Sequence, residues 1–281
     1  FIGKDWMEKE SFIWKPGKDF PASNLAGLME RLGIGTYEEL IRRSVEDIDW
    51  FWPVCLEDLG VEWFEPYKRL YDDSRGLPWT KWFLGGKINI VHNCLDRHIR
   101  DGKNRKIAFY WEGDDGASKI ITYQELYKNV NAISASLKKC RIKRGNVVGI
   151  YTSFIPEAIT ILLAAMKIGA IALPIMSGFG PQAVAERINV AKAKILFTSD
   201  GFTLRGRPVL LKNRICGILP EIPSLEKVVV IKRLGIETKM EAGRDIFWGD
   251  FLELGGGAAN IKTVALDAEE PALILFTSGT T

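Results

Sequence analysis

Between residues 106 and 231, apolar runs of strand length alternate with segments of helical periodicity, and no other property of the chain narrows its fold as far. Residues 107–111 and 119–122 read as two strands joined by the turn Gly113-Asp114-Asp115-Gly116. Thr122 and Glu125 have capping-box spacing, and Leu126, Val130, Ile133 and Leu137 then recur on one helical face. Residues 147–152 read as a strand. Pro156 stands where a helix takes an N1 proline, and Gly169 where that helix takes its C′ glycine. Strands over 170–176, 195–198 and 227–231, a helix over 182–193 and a last strand over 272–276 complete the series. Alternating strands and helices make βαβ units, so the expected fold is α/β, with a mostly parallel sheet flanked by helices. Such sheets bind ligands beyond the carboxyl ends of their strands. The residues just after Ile175, Thr198 and Phe276 are therefore the ones to inspect.

Residues 1 to about 90 have a different character. They hold seven of the nine tryptophans: Trp6, Trp14, Trp50, Trp52, Trp63, Trp79 and Trp82. Ser23 precedes an apolar-periodic segment that stops at Gly33, and Thr36 with Glu39 has capping-box spacing. No strand alternation is visible, so short helices with tryptophans as packing residues are expected. The expected division is a helical, Trp-rich extension over 1–100 and a larger domain over 101–281.

Composition removes several classes. With 47% hydrophobic and 26% charged residues, a chain of 281 residues can bury a real core. A net charge of +3 with no basic stripe interleaved with aromatics argues against nucleic acid. The longest apolar stretch, 158–176, is broken by Lys167, Gly169 and Pro174, so no membrane span is expected. Cys55, Cys94, Cys140 and Cys216 form no C-x-x-C pair, which suits reduced thiols in the cytoplasm without a disulfide frame or structural zinc.

Four segments are candidates for chemistry. Thr277, Ser278, Gly279, Thr280 and Thr281 follow an apolar strand with hydroxyls and glycine alone. Their backbone N–H groups could form an anion nest, although the Walker A spacing is absent; an ordinary turn is the alternative. Gly178-Phe179-Gly180-Pro181-Gln182-Ala183 fits G-x-G-x-x-A, with Asp200 22 residues after Gly178. That is a dinucleotide pattern with a ribose-binding acid, and it leaves a nicotinamide-dependent oxidoreductase open. Arg205-Gly206-Arg207 could clamp phosphates or simply be solvated. His92 and His98 bracket Asp96 and Arg97 without the further ligands a metal needs. Asp96 and Arg97 are expected to tie the N-terminal segment to the main domain.

Read in order, these segments resemble the acyl-adenylate-forming (AMP-binding) superfamily, in its acetyl-CoA synthetase-like branch. The resemblance rests on Trp82-Phe83-Leu84-Gly85-Gly86-Lys87-Ile88-Asn89, Asn93 to His98, Ile121-Thr122-Tyr123-Gln124-Glu125-Leu126 and Ile155-Pro156-Glu157-Ala158. Gly178-Phe179, Arg205-Gly206-Arg207 and Glu270-Pro271 running into Thr277-Ser278-Gly279-Thr280-Thr281 complete it. It implies a ligase, an AMP-forming acyl-CoA synthetase for a short carboxylic acid. The acid attacks the α-phosphate of Mg2+-bound ATP to give an acyl-adenylate and pyrophosphate. Coenzyme A then takes the acyl group and AMP leaves. Positioning and charge neutralisation carry such chemistry.

The resemblance further implies that Thr277, Ser278, Gly279, Thr280 and Thr281 hold the ATP phosphates. Gly178, Phe179, Gly180, Arg205, Gly206 and Arg207 would contact coenzyme A. The catalytic lysine is expected in a small C-terminal domain outside these residues. The chain is thus expected to be the N-terminal part of such an enzyme and inactive alone. A non-catalytic nucleotide- or CoA-binding module is the remaining alternative. Met176-Ser177-Gly178-Phe179-Gly180 departs from the branch's phenylalanine, two glycines, phenylalanine and serine, which marks a divergent member.

Overall fold

The structure, a computed structural model, describes residues 20–257 and 260–277, and the chain divides between Val61 and Glu62 into two units. Trp6, Trp14, Ser278, Gly279, Thr280 and Thr281 lie outside the described residues.

In the first unit three side chains begin three helices. The Ser23 hydroxyl accepts from Ala26 N at 3.1 Å and opens α1 (Asn24–Arg31). The Thr36 hydroxyl accepts from Glu39 N at 3.2 Å, one half of the expected capping box, and opens α2 (Tyr37–Glu46). The Asp47 carboxylate accepts from Trp50 N at 3.0 Å and opens α3 (Ile48–Asp58). Each satisfies an N–H that the first helical turn leaves without a partner. Met29, Ile34 and Leu40 are buried, with Trp50 packed against them and Arg43 3.7 Å above the Trp50 ring. Trp50 is therefore a packing residue, as read.

The second unit opens with strands that the sequence did not announce. β1 (Arg69–Asp72) pairs antiparallel with β2 (Lys81–Leu84), placing Tyr71 against Trp82 with ring centroids 5.5 Å apart. β3 (Lys87–Ile88) finds its partner near the other end of the chain. Runs of two and four residues are too short to display alternation; one cross-strand aromatic pair and a distant partner make them strands. Trp63 lies so close to the main chain that a Cβ on Gly86 would sit 2.7 Å from its ring, which requires glycine there. A π-helical turn over His92–Asp96 leads into α4 (Arg97–Arg100).

From there the expected alternation holds. β4 (Ile107–Glu112) and β5 (Ser118–Thr122) form an antiparallel hairpin. Thr122 and Glu125 form both halves of a capping box on α5 (Tyr123–Lys139), which buries Leu126, Val130, Ile133 and Leu137. There follow β6 (Val147–Thr152), α6 (Pro156–Lys167), β7 (Ile171–Met176), α7 (Pro181–Ala191) and β8 (Ala193–Ser199). A small hairpin, β9 (Phe202–Leu204) and β10 (Arg207–Val209), precedes α8 (Leu211–Ile215). β11 (Lys227–Ile231), β12 (Asp245–Phe247), α9 (Trp248–Leu254) and β13 (Leu266–Asp267), the partner of β3, complete the order. Gly169, at φ +76°, ends α6 in the left-handed conformation that made it readable as a C′ residue.

The central sheet has the order β12-β11-β8-β6-β7, and every pair in it is parallel. Both faces are covered. Val148, Ile150, Ile195, Phe197 and Val229 face a core shared with α5, α6 and α9; Val147, Tyr151, Leu196, Val228 and Val230 face one shared with α7 and α8. Among the described residues, no helix is long and apolar enough to cross a membrane.

The strand expected over 272–276 shrinks to a single parallel bridge between Ala172 and Leu273. Ala172 N donates to Ala272 O at 3.0 Å, and Ile274 N donates to Ala172 O at 2.9 Å. The next residue of β7 facing this segment is two positions on, Pro174, which has no N–H to give, so the ladder stops. The segment is also half-exposed rather than buried: Leu273 and Leu275 face out, and Ile274 and Phe276 face in.

Candidate functional site

The carboxyl ends of β6, β7 and β8 open onto one cavity of about 230 Å3, where a parallel sheet offers its ligand site. Ser153 and Phe154 follow β6, Ser177 follows β7, and Leu204 belongs to the hairpin after β8; Trp111 and Arg233 complete the wall. Ser177 precedes Gly178, and Leu204 precedes Arg205. The structure thus brings the two segments expected to bind coenzyme A to the borders of one cleft.

The loop after β7 is held from inside the protein. The buried Tyr151 hydroxyl donates to Phe179 O at 2.9 Å and reaches Ser177 O at 3.4 Å. Burial pushes the Tyr151 phenol above its ordinary range, so it remains a donor. Phe179 N donates to Met176 O at 3.0 Å, closing the turn, and Gly180 leads directly into Pro181, the first residue of α7. A Cβ on Gly178 or Gly180 would meet nothing within 4 Å, so the loop presents backbone to open space. Phe179 turns inward, where the Arg187 guanidinium stands 4.0 Å above its ring. The same guanidinium is 5.2 Å from the ring of Phe276, the residue before Thr277.

Arg205 and Gly206 form the tip of the β9–β10 hairpin, at φ +51° and +76°. Two consecutive left-handed residues make the type I′ turn that matches strand twist, and Gly206 supplies one of them without cost. Arg205, Gly206 and Arg207 are all exposed. At the hairpin base, a Cβ on Gly201 would lie 2.5 Å from Val209 O, so this crossing also requires glycine. The arrangement projects two cations from a short, register-fixed ribbon beside the cleft.

Trp111 and Arg233 form a part of the site that no motif flagged. The Trp111 indole N–H donates to Phe154 O at 2.7 Å, fixing the main chain of a residue whose ring is 98% exposed. Arg233 lies 5.0 Å from the Trp111 ring and 3.3 Å from an Asp115 oxygen. The only sequence cue is their position at strand ends, Trp111 next to last in β4 before its hairpin turn and Arg233 two residues after β11.

The dinucleotide reading fails at Asp200. Its carboxylate is buried and accepts from the backbone N–H groups of Gly201, Arg233, Leu234 and Ile236 at 2.7–3.2 Å. It organises the loop after β11 and is not available to a ribose hydroxyl. Gly178 and Gly180 are thus left without the acid that the oxidoreductase reading needs.

The two histidines diverge. His92 Nε2 is 2.7 Å from a Glu62 oxygen, and its ring centroid is 5.0 Å from that of Phe64. His98 packs edge-on against Tyr123, and burial, then Lys103, lowers its pKa. Among the described residues, no group of three or more His, Cys, Asp and Glu side chains could hold a metal ion. Asp96 receives the buried Lys167 ammonium from α6 at 2.7 Å and the Thr263 hydroxyl, all three within the second unit. Of the expected phosphate-binding residues, Thr277 is described and exposed, and Ser278, Gly279, Thr280 and Thr281 lie outside the described residues.

Comparison with known proteins adds two family matches: residues 95–281 match the AMP-binding enzyme model, and residues 37–94 match the acetyl-coenzyme A synthetase N-terminus model. An acetyl-coenzyme A synthetase from Methanothrix thermoacetophila is 39% identical over 260 residues, 92% of this chain and 39% of that protein. A 3-hydroxypropionyl-coenzyme A synthetase from Sulfurisphaera tokodaii is 38% identical over 248 residues, 87% of this chain and 37% of that protein. The solved acetoacetyl-CoA synthetase from Streptomyces lividans superimposes with a TM-score of 0.85 at 25% identity, covering 95% of this chain and 41% of that one. The chain spans about two-fifths of the length of these relatives.

Proposed function

Since the chain belongs to the AMP-binding enzyme family, we propose that its protein is an AMP-forming acyl-CoA synthetase acting on a short carboxylic acid. The observation that carries this reading is the cleft at the carboxyl edge of the sheet, bordered by the Gly178–Gly180 loop and the Arg205–Arg207 hairpin. Two exposed guanidiniums and an open stretch of loop backbone suit a ligand with several phosphates.

In this reading residues 101–281 contribute to the adenylating domain and residues 1–100 form an extension to it. Thr277, Ser278, Gly279, Thr280 and Thr281 hold the phosphates of Mg2+-bound ATP while the acid's carboxylate attacks the α-phosphate and pyrophosphate leaves. Arg205 and Arg207 then hold the nucleotide end of coenzyme A, whose thiol attacks the acyl carbon and releases AMP. Acetate, propionate and 3-hydroxypropionate are the acids to try first, and the cytoplasm is the compartment where ATP and coenzyme A meet them.

The test uses the whole product of the gene. Acid-dependent exchange of label between pyrophosphate and ATP, without coenzyme A, reports the adenylate; acyl-CoA appearing on addition of coenzyme A reports the second step. A folded protein that binds coenzyme A yet exchanges no pyrophosphate with any short acid would replace this reading with a non-catalytic CoA-binding module.

A further inference from the structure

Arg187 lies on α7 with only 4% of its surface exposed, and no motif singles it out. One nitrogen donates to Ala183 O at 2.8 Å, which fixes the side chain against its own helix. Its guanidinium carbon is then 4.0 Å from the centre of the Phe179 ring and 5.2 Å from that of Phe276. Both distances are within cation–π range, and a planar guanidinium has two faces on which rings can settle. Phe179 is the central residue of the loop between Gly178 and Gly180. Phe276 is the last residue before Thr277. One buried cation therefore touches both the loop read as binding coenzyme A and the segment read as leading into the ATP phosphates.

Phe179 is held by Tyr151 through its carbonyl as well as by Arg187 through its ring, so the ring has little freedom to move alone. Phe276 faces the core on the α7 side, and its segment is tied to the sheet by one bridge to β7, with the ladder ending at Pro174. In a close-packed interior, a ring that shifts on one side of the guanidinium changes the seat available on the other.

We propose that Arg187 is a positioning residue shared by the two nucleotide loops, so that the placement of Phe179 sets the placement of Phe276 and thereby that of Thr277. The proposal rests on the acyl-CoA synthetase reading.

The test is a double-mutant cycle in the whole protein, read in pyrophosphate exchange without coenzyme A. Phe179→Leu should raise the KM for ATP severalfold even though coenzyme A is absent, because the change travels through Arg187. Arg187→Met should raise it about thirtyfold, the equivalent of a desolvated cation–π contact. In the Arg187→Met background, Phe179→Leu should have no further effect on ATP. If Arg187→Met does not fold, Phe276→Leu supplies the reverse arm: a severalfold rise in KM for coenzyme A in thioester formation. Melting temperatures and the KM for the acid should not follow these changes, whereas a merely structural role would move them together. An active enzyme in which Phe179→Leu alters only coenzyme A parameters, or in which the effects simply add, overturns the role of Arg187 alone. Absence of any exchange by the wild type overturns the functional reading instead.

Discussion

Asp200 holds Leu234 through both of its carboxylate oxygens, at 3.1 and 3.2 Å from one backbone nitrogen. The same carboxylate accepts from Gly201, Arg233 and Ile236, so four amides converge on one buried charge. Replacing it would leave the buried Gly201 amide and three half-buried amides without their acceptor, at a cost of about 1–3 kcal/mol for a buried donor. Asp200→Ala should therefore lower unfolding stability by about 3 kcal/mol or more in urea titration. Coenzyme A kinetics should change only as far as Arg233 moves.

Gly178 and Gly180 offer a sharper test of the cleft. Neither has a left-handed φ, and a methyl group on either meets nothing within 4 Å. Gly178→Ala and Gly180→Ala should fold with an unchanged or slightly raised melting temperature, since alanine restricts the unfolded chain. Any loss of function must then come from the ligand side. A rise of roughly tenfold in KM for coenzyme A is expected, because small misplacements of a bound substrate are costly. An unchanged KM would remove this loop from the coenzyme A site.

At the hairpin tip, charge and conformation can be separated. Arg205 pays the strain of a left-handed φ for a side chain that points into solvent. Arg205→Asn creates Asn-Gly, the pair that type I′ turns favour, so stability should hold or rise while one cation is lost. Arg207→Ala removes the other. Each should weaken coenzyme A binding by roughly tenfold at low salt, the scale of one charge-assisted contact, and by less at high salt. Calorimetric titration at two salt concentrations checks this; a salt-independent affinity equal to wild type would make the pair mere solvated surface.

The parts of this fold that can be read from sequence are those whose causes are local. Pro156 and Gly169 bound α6 from within, and Thr122 with Glu125 begins α5, so both helices are legible without a partner. β3 exists because Asp267 and Leu266 arrive from far along the chain, and nothing in Lys87-Ile88 announces that. The strand over 272–276 has the right composition but the wrong neighbour: its ladder is decided by Pro174 on β7, not by its own residues. The site divides in the same way. Gly178, Phe179, Gly180 and Arg205–Arg207 are visible as motifs, whereas Trp111, Arg187 and Arg233 acquire meaning only when other elements place rings and carboxylates beside them. Asp200 is the converse case, since its spacing suits a ribose and its surroundings do not.

A last prediction concerns acid stability. The Glu62 carboxyl lies against Arg100, with nitrogen–oxygen distances of 2.7 and 2.8 Å, and against His92 at 2.7 Å. The hydrogen bonds from Arg100, then the one with His92, hold it at about 2, against an ordinary 4.5. A carboxyl with a depressed folded pKa is stabilising wherever the unfolded chain is also ionised, that is above about 4.5. Below that, the unfolded state binds the proton first, and the stabilisation drains away as the pH falls towards 2. A third of the side chain is open to water, so the effect is smaller than the shift alone would give. Glu62→Gln removes the charge without removing the volume. Its stability deficit relative to wild type, from urea midpoints across this range, should be constant above 4.5 and close progressively below it. A deficit that stays the same down to pH 2 would mean that Glu62 acts through its packing and not through its charge.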